Sequence, residues 1–322
     1  MDREGYRELL RLRKVSDEKI EAAIAMVERF ESYLVSKGGV ANAAIAWEFC
    51  NILIQEGQNT FDNLLALGRY GLFIKNNALY VAILELLDGA EVQPNLYQKV
   101  GLTFGTELRE EVFAGIGISQ LGLPPTEKPF DMFPVIDRLE RKVGKEKTKD
   151  LLTACLRDLP DEHFLEERDK YLQAGSIDEY LVVKHQALVE WLRKCQQNGD
   201  LFYAQEITDD VLRYVEEHPE TESGVRKGKV LYITKIPYNT KEYLTATDPV
   251  LKRYYACHCP WAREAIKSGN LRLNPIFCNC SGGYSKKPWE VIFGQPLKVE
   301  VLESALLGDY RCRFAVHLPD EL

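Results

Sequence analysis

Five of the eight cysteines in this 322-residue chain fall between positions 257 and 312, so sulfur is where its chemistry can concentrate. Cys257 and Cys259 flank His258 and precede Pro260, Cys278 and Cys280 flank Asn279, and Cys312 follows alone. The pattern Cys-x-Cys, eighteen residues, Cys-x-Cys supplies the four thiolates of a closed tetrahedral zinc centre. Zinc ribbons, however, ordinarily separate each pair by two residues. The same atoms allow a second reading: a thiolate at Cys257, with His258 and Glu264 moving protons, as a nucleophile or half of a redox pair. A third is packing alone, because reduced cysteines are among the most buried residue types. Spacing leaves all three open.

Each reading needs elements that hold the sulfurs. Pro260 followed by WAREAIKSG opens a helix with proline at its first position, which makes Cys259 the N-cap. Unpaired N–H groups and the positive end of the helix dipole favour thiolate there. Arg263 lies one turn in and can grip a substrate carboxylate through two parallel hydrogen bonds. LRLNPIF reads as a strand ending at Cys278 and Cys280; residues two apart on a strand share a face, so both sulfurs would aim at one point. Ser281, Gly282 and Gly283 then read as a loop that a ligand can approach closely. Tyr284 and Lys286 are the substrate-binding candidates beside it. A short helix in PWEVIFG follows, and LKVEVLES and YRCRFAVHL make a closing hairpin with Gly308 in its turn.

Upstream the pattern is helical. Ser16 can cap a helix on which Ile20, Ala23, Ile24, Val27, Phe30 and Leu34 recur every three or four positions. Further helices are expected at 41–55, 61–73, 78–88 and 96–116, then at 132–142, 145–157 and 161–173, in a long segment after Ser176, and at 207–217. Pro124, Pro125, Pro129 and Pro134 mark a linker. A strand in KVLYITKIPYN and a charged helical stretch at 241–254 lead into the cysteine region. The expected organisation is an all-helical domain over 1–122, a Pro-rich linker over 123–134, and an α/β module over 135–322. Within that module the helices fall in 135–220, and the sheet and cysteine cluster in 228–318. The fold class is α+β, a helix-rich small-molecule-binding type with an antiparallel sheet.

Composition narrows the classes. No apolar run approaches a membrane span, and the charged start MDREGYRELLRLRK lacks the apolar core of a signal peptide. The expectation is a cytoplasmic protein with reduced thiols. Net charge is −8, unevenly spread: residues 223–322 carry 15 basic and 9 acidic side chains, the first 222 carry 26 and 40. A basic surplus without an Arg/Lys stripe or interleaved aromatics argues against nucleic acid as partner. His163, His185 and His218 have no ligand spacing.

The ending PLKVEVLESALLGDYRCRFAVHLP resembles the closing hairpin of the vinyl-reductase-type small-molecule-binding domains and of the L-2-amino-thiazoline-4-carboxylic acid hydrolase-like family. The shared features are an acidic strand (Glu300 or Glu303), a Gly308-Asp309 turn, and Cys312-Arg313-Phe314. Residues 130–322, with TKIPY, YYACHCPWAREAI, FCNCSGGYSKKPWEVIFGQP and CRFAVHLP, are similar to an uncharacterised bacterial and archaeal family standing near those two. The resemblance implies an α/β ligand-binding fold, and in some of the vinyl-reductase-type sensors an acid and cysteines around this hairpin hold zinc. The position eight before Cys312, a cysteine in those sensors, is Ser304 here.

The combined expectation is a cytosolic, hydrolase-like, small-molecule-binding protein with a site at Cys257, Cys259, Cys278 and Cys280, holding zinc or acting as thiolates. Arg263 would take a substrate carboxylate and Glu264 would handle protons. The bond cleaved would be a non-peptide C–N bond in a small amino-acid-like compound. The alternative is a non-catalytic ligand sensor or zinc-stabilised adaptor.

Overall fold

Side-chain caps and amphipathic spacing decide where the helices of this protein begin. The computed structural model describes residues 1–127, 132–157, 159–270 and 272–320. Among them are helices α1 (Arg3–Leu12), α2 (Asp17–Ser36), α3 (Ala43–Gln55), α4 (Phe61–Phe73) and α5 (Asn77–Leu87). Asp2, Asn42, Thr60 and Asn76 each accept a backbone N–H of the helix they open, satisfying donors that have no intrahelical partner. The apolar faces enclose Tyr6, Phe30, Phe49 and Leu67. Gly71 lets α4 meet α5, because a Cβ there would stand 2.8 Å from the Tyr80 nitrogen.

The chain forms two compact units. The first is residues 1–90 with 118–129; the second is 91–117 with 130–322. This division differs from the boundaries expected at 122 and 135. Helices α6 (Val92–Phe104) and α7 (Thr106–Val112), expected as one helix of the N-terminal domain, are separated by Gly105 at φ 94° and belong to the second unit. Their Val92, Leu96, Val100 and Val112 share a core with Val135, Ile136 and Leu139. The proline-marked stretch lies partly with the first unit, and its residues 128–131 fall outside the described ones.

The second unit continues with α8 (Met132–Val143), α9 (Lys145–Thr153), α10 (Leu165–Gln173), α11 (Ile177–Asn198) and α12 (Asp209–Glu217). Between α11 and α12, β1 (Leu201–Phe202) and β2 (Gln205–Glu206) make a small hairpin. Ser176 and Thr208 cap α11 and α12 as their sequences imply. Then come β3 (Val225–Lys227), β4 (Val230–Thr234), α13 (Thr240–Thr245), α14 (Pro249–Ala256), α15 (Pro260–Ser268), α16 (Asn279–Phe293), β5 (Lys298–Glu303) and β6 (Arg313–His317). The expected helix at 241–254 is therefore two, the second restarted by Asp248 and Pro249. The sheet is antiparallel in the order β3-β4-β6-β5. Helices with a small antiparallel sheet make this an α+β fold.

One expectation fails where it matters. LRLNPIF is not a strand among its described residues: Asn274 caps a 3-10 turn at Pro275–Cys278, which runs directly into α16. The Asn274 side chain accepts from the Ile276 nitrogen at 3.1 Å, and Pro275 supplies a helix-ready φ. Gly282 and Gly283 are helical rather than a ligand loop. A Cβ at Gly283 would lie 2.7 Å from the Thr153 carbonyl oxygen, and one at Gly282 would touch Val299 and Phe314. Their smallness serves close packing of α16 on α9 and on the sheet.

Candidate functional site

Register brings the first two functional groups together. In the β4–β6 ladder Leu231 opposes Val316 and Ile233 opposes Phe314. The Lys235 nitrogen donates to the Cys312 carbonyl at 3.0 Å, which extends the ladder by one pair. Side chains alternate along a strand, so Lys235 and Cys312 leave the sheet on the face that carries its buried core residues. Ahead of Cys312 the β5–β6 connection is tightly tied: the Ser304 nitrogen donates to Asp309 at 2.8 Å, and Gly308 takes φ 113°.

Two helix openings supply the other sulfurs. Cys257 ends α14 and Cys259 is the N-cap of α15, with Pro260 at its first position. Cys278 is the N-cap residue of α16 and Cys280 lies in its first turn. All eight cysteines are thiols. Cys257 and Cys312 lie in the core of the second unit and Cys259, Cys278 and Cys280 pack against that same core, within electrostatic reach of one another. Cys278 and Cys280 do not share a strand face, since they open a helix and residues two apart on a helix point about 200° from one another.

The sulfurs are unequal. The Cys257 sulfur lies 4.0 Å from the Cys259 carbonyl and is coupled to Cys312, an interaction that raises Cys257 well above an ordinary thiol and lowers Cys312 below one. Burial opposes the depression of Cys312, while the Ala305 N–H and the Lys235 charge support it. Cys278 lies 3.1 Å from the Ser304 hydroxyl and is raised by burial. Burial pushes Cys280 up to about 12. Of Cys257, Cys278, Cys280 and Cys312, Cys312 is the acidic thiol, whereas the sequence expects acidity at Cys257 and the helix-opening Cys259.

No group of three or more His, Cys, Asp or Glu side chains among the described residues is disposed to hold a metal ion. The tetrathiolate expected of Cys257, Cys259, Cys278 and Cys280 is not formed, because Cys257 turns to Cys312 and Cys278 to Ser304. These side chains as placed do not fit a zinc ion.

Other candidates are engaged elsewhere. His258 donates from Nε2 to the Ile236 carbonyl at 2.5 Å and stands edge-on to Tyr238. Arg263 is 2% exposed, its guanidinium 4.0 Å from the Tyr238 ring centroid and 5.3 Å from that of Tyr254, a stacking arrangement that hides it from a substrate carboxylate. Glu264 is buried next to it, with no hydrogen bond or ion pair to a cysteine among the described residues. Lys286 is buried, paired with Glu290 and bonded to the Leu297 carbonyl at 2.9 Å. Tyr284 alone of the substrate-binding candidates sits at the cysteines' edge, near Cys155 and against Lys235.

The sequence reading missed Lys235, Glu222 and Tyr203. Lys235 stood inside the quoted motif TKIPY, and its position just before Ile236-Pro237 marked it as a strand end. Glu222 and Tyr203 gave no sequence signal. A cleft of about 350 Å³ lined by Asp161, Arg168, Lys287 and Gly294 contains none of the cysteines. No helix is long and apolar enough to cross a membrane among the described residues. No protein-family model, curated protein or solved structure matches the chain.

Proposed function

We propose that this protein binds a small, amino-acid-like molecule beside its cysteine cluster and hydrolyses a non-peptide C–N bond in it, with Cys312 as nucleophile. The observation that carries the reading is the pairing of Cys312 with Cys257, with Lys235 on the same sheet face and the Ala305 N–H at the sulfur. A thiolate is the nucleophilic form of cysteine, and a thiol donor, a backbone N–H and an ammonium all stabilise it.

The chemistry balances with water as co-reactant. The Cys312 thiolate adds to the carbon of an amidine-like C–N unit, forming a C–S bond. The nitrogen takes a proton and leaves as an amine, and water then cleaves the C–S bond, returning the thiol. Cys257 holds the proton nearest the reacting sulfur. Cys278 and Cys280, raised by burial, stay protonated and line the site.

The test is turnover of a panel of cyclic amidines and thiazolines by the full chain and by Cys312→Ser, with elemental analysis of both. Turnover lost in Cys312→Ser while the fold is retained supports the reading. Stoichiometric zinc with no turnover in either protein overturns it in favour of a zinc-stabilised adaptor.

A further inference from the structure

Three residues of the second unit hold a left-handed backbone without being glycine: Cys155 at φ 49°, Tyr203 at φ 54° and Glu222 at φ 58°. Side chains rarely occupy this region. Each stands where glycine would fit freely. Cys155 follows the C-cap of α9, where helices commonly place glycine. Tyr203 is the first of two residues joining β1 to β2, a turn that favours glycine or asparagine. Glu222 lies in the tight loop between α12 and β3, its nitrogen bonded to the Thr234 carbonyl at 2.9 Å.

Far apart in sequence, all three converge on one side chain, Tyr284. The Tyr203 and Tyr284 hydroxyls hydrogen-bond, and the Glu222 carboxyl and the Cys155 sulfur lie in electrostatic reach of Tyr284. Lys235 completes the group. Its ammonium is 4.6 Å from the Tyr284 ring centroid and 3.5 Å from the Ser281 hydroxyl, and it forms no salt bridge among the described residues. Glu222 is held by the Ile236 N–H at 2.9 Å. Tyr203, 53% exposed, forms the solvent edge; Cys155, Glu222, Lys235, Cys280 and Tyr284 are half-buried.

We propose that Lys235, Tyr284, Tyr203 and Glu222 form a binding subsite for the carboxylate of a small-molecule ligand, at the open edge of the cysteine cluster. The Lys235 ammonium and the one phenolic hydrogen that the Tyr203–Tyr284 pair leaves over are donors, and a carboxylate offers the matching acceptors and charge. Burial raises Glu222 above an ordinary carboxyl, against the Ile236 N–H and the Lys235 charge, which weakens its competition for the ammonium. This subsite takes over the role that the sequence gave to Arg263. The proposal rests on the small-molecule reading of this face and is independent of the thiolate step.

Calorimetric titration tests it with acetate, benzoate and N-acetylglycinate, each beside its uncharged amide. The wild-type chain is expected to bind at least one carboxylate, and its amide not measurably. Lys235→Met is expected to bind that carboxylate roughly tenfold more weakly, with Lys235→Arg restoring part of the loss. Tyr284→Phe reports on the same subsite if Lys235→Met does not fold. Equal affinity for carboxylate and amide, unchanged affinity in Lys235→Met and Tyr284→Phe, or no binding of any carboxylate at millimolar concentration would overturn the proposal. Carboxylate binding by Cys312→Ser without turnover by wild type would leave this subsite standing and remove the thiolate mechanism.

Discussion

Cys257 at the end of α14 and Cys312 just ahead of β6 are coupled through their buried thiols. The pair makes one thiol less acidic and the other more so, and that asymmetry sets the reactivity expected of the site.

Removing Cys257 should therefore slow Cys312. In Cys257→Ala, Cys312 loses the largest influence that lowers it, and burial then dominates. Alkylation of Cys312 by iodoacetamide at neutral pH should fall roughly tenfold for each unit by which its pKa climbs. Cys257→Ser keeps a donor and should lie between the two. Peptide mass spectrometry across pH 6 to 10 reads the profile; an identical Cys312 profile in wild type and Cys257→Ala would refute the pairing.

Gly283→Ala should destabilise the second unit by about 1 to 3 kcal/mol. The added Cβ would meet the Thr153 carbonyl at 2.7 Å, backbone that cannot swing away. Gly282→Ala meets only side-chain atoms, Val299 at 3.4 Å and Phe314 at 3.6 Å, and should cost much less. Denaturant unfolding of the two variants gives the comparison, and equal midpoints would contradict close packing of α16 on α9.

Stability should also respond to pH through Glu222. Its carboxyl is raised by burial, against the opposing Ile236 N–H and Lys235. A raised acid binds more protons folded than unfolded, so it loses stability as pH climbs from the unfolded value of about 4.3 through the folded one. Glu222→Gln mimics the protonated form. It should be more stable than wild type at pH 8, on the order of 1 kcal/mol, with the gap closing towards pH 4. Thermal melts at both pH values check this; a constant gap would show that Glu222 does not titrate as described.

Much of the frame was legible from local pattern. The caps at Thr60, Ser176 and Thr208 and the Pro260 opening of α15 lie where their sequences place them. The β5–β6 hairpin forms around Gly308 as expected, with a bulge between Val301 and Glu303. Asn274-Pro275 misled, because a cap and a proline can start a helix in a run that also reads as a strand. Gly282-Gly283 misled too, since the reason for their size is a neighbour from distant sequence.

By itself the sequence determined the helix starts, the final hairpin and the gathering of five cysteines into one module, because caps, periodicity and turn residues act over a few positions. Only tertiary structure decided which sulfur is acidic, that Arg263 is stacked away from ligands, and that Cys155, Tyr203 and Glu222 surround Tyr284. Those outcomes depend on burial and on charges brought close by strand register and helix packing. Neither is encoded in spacing along the chain.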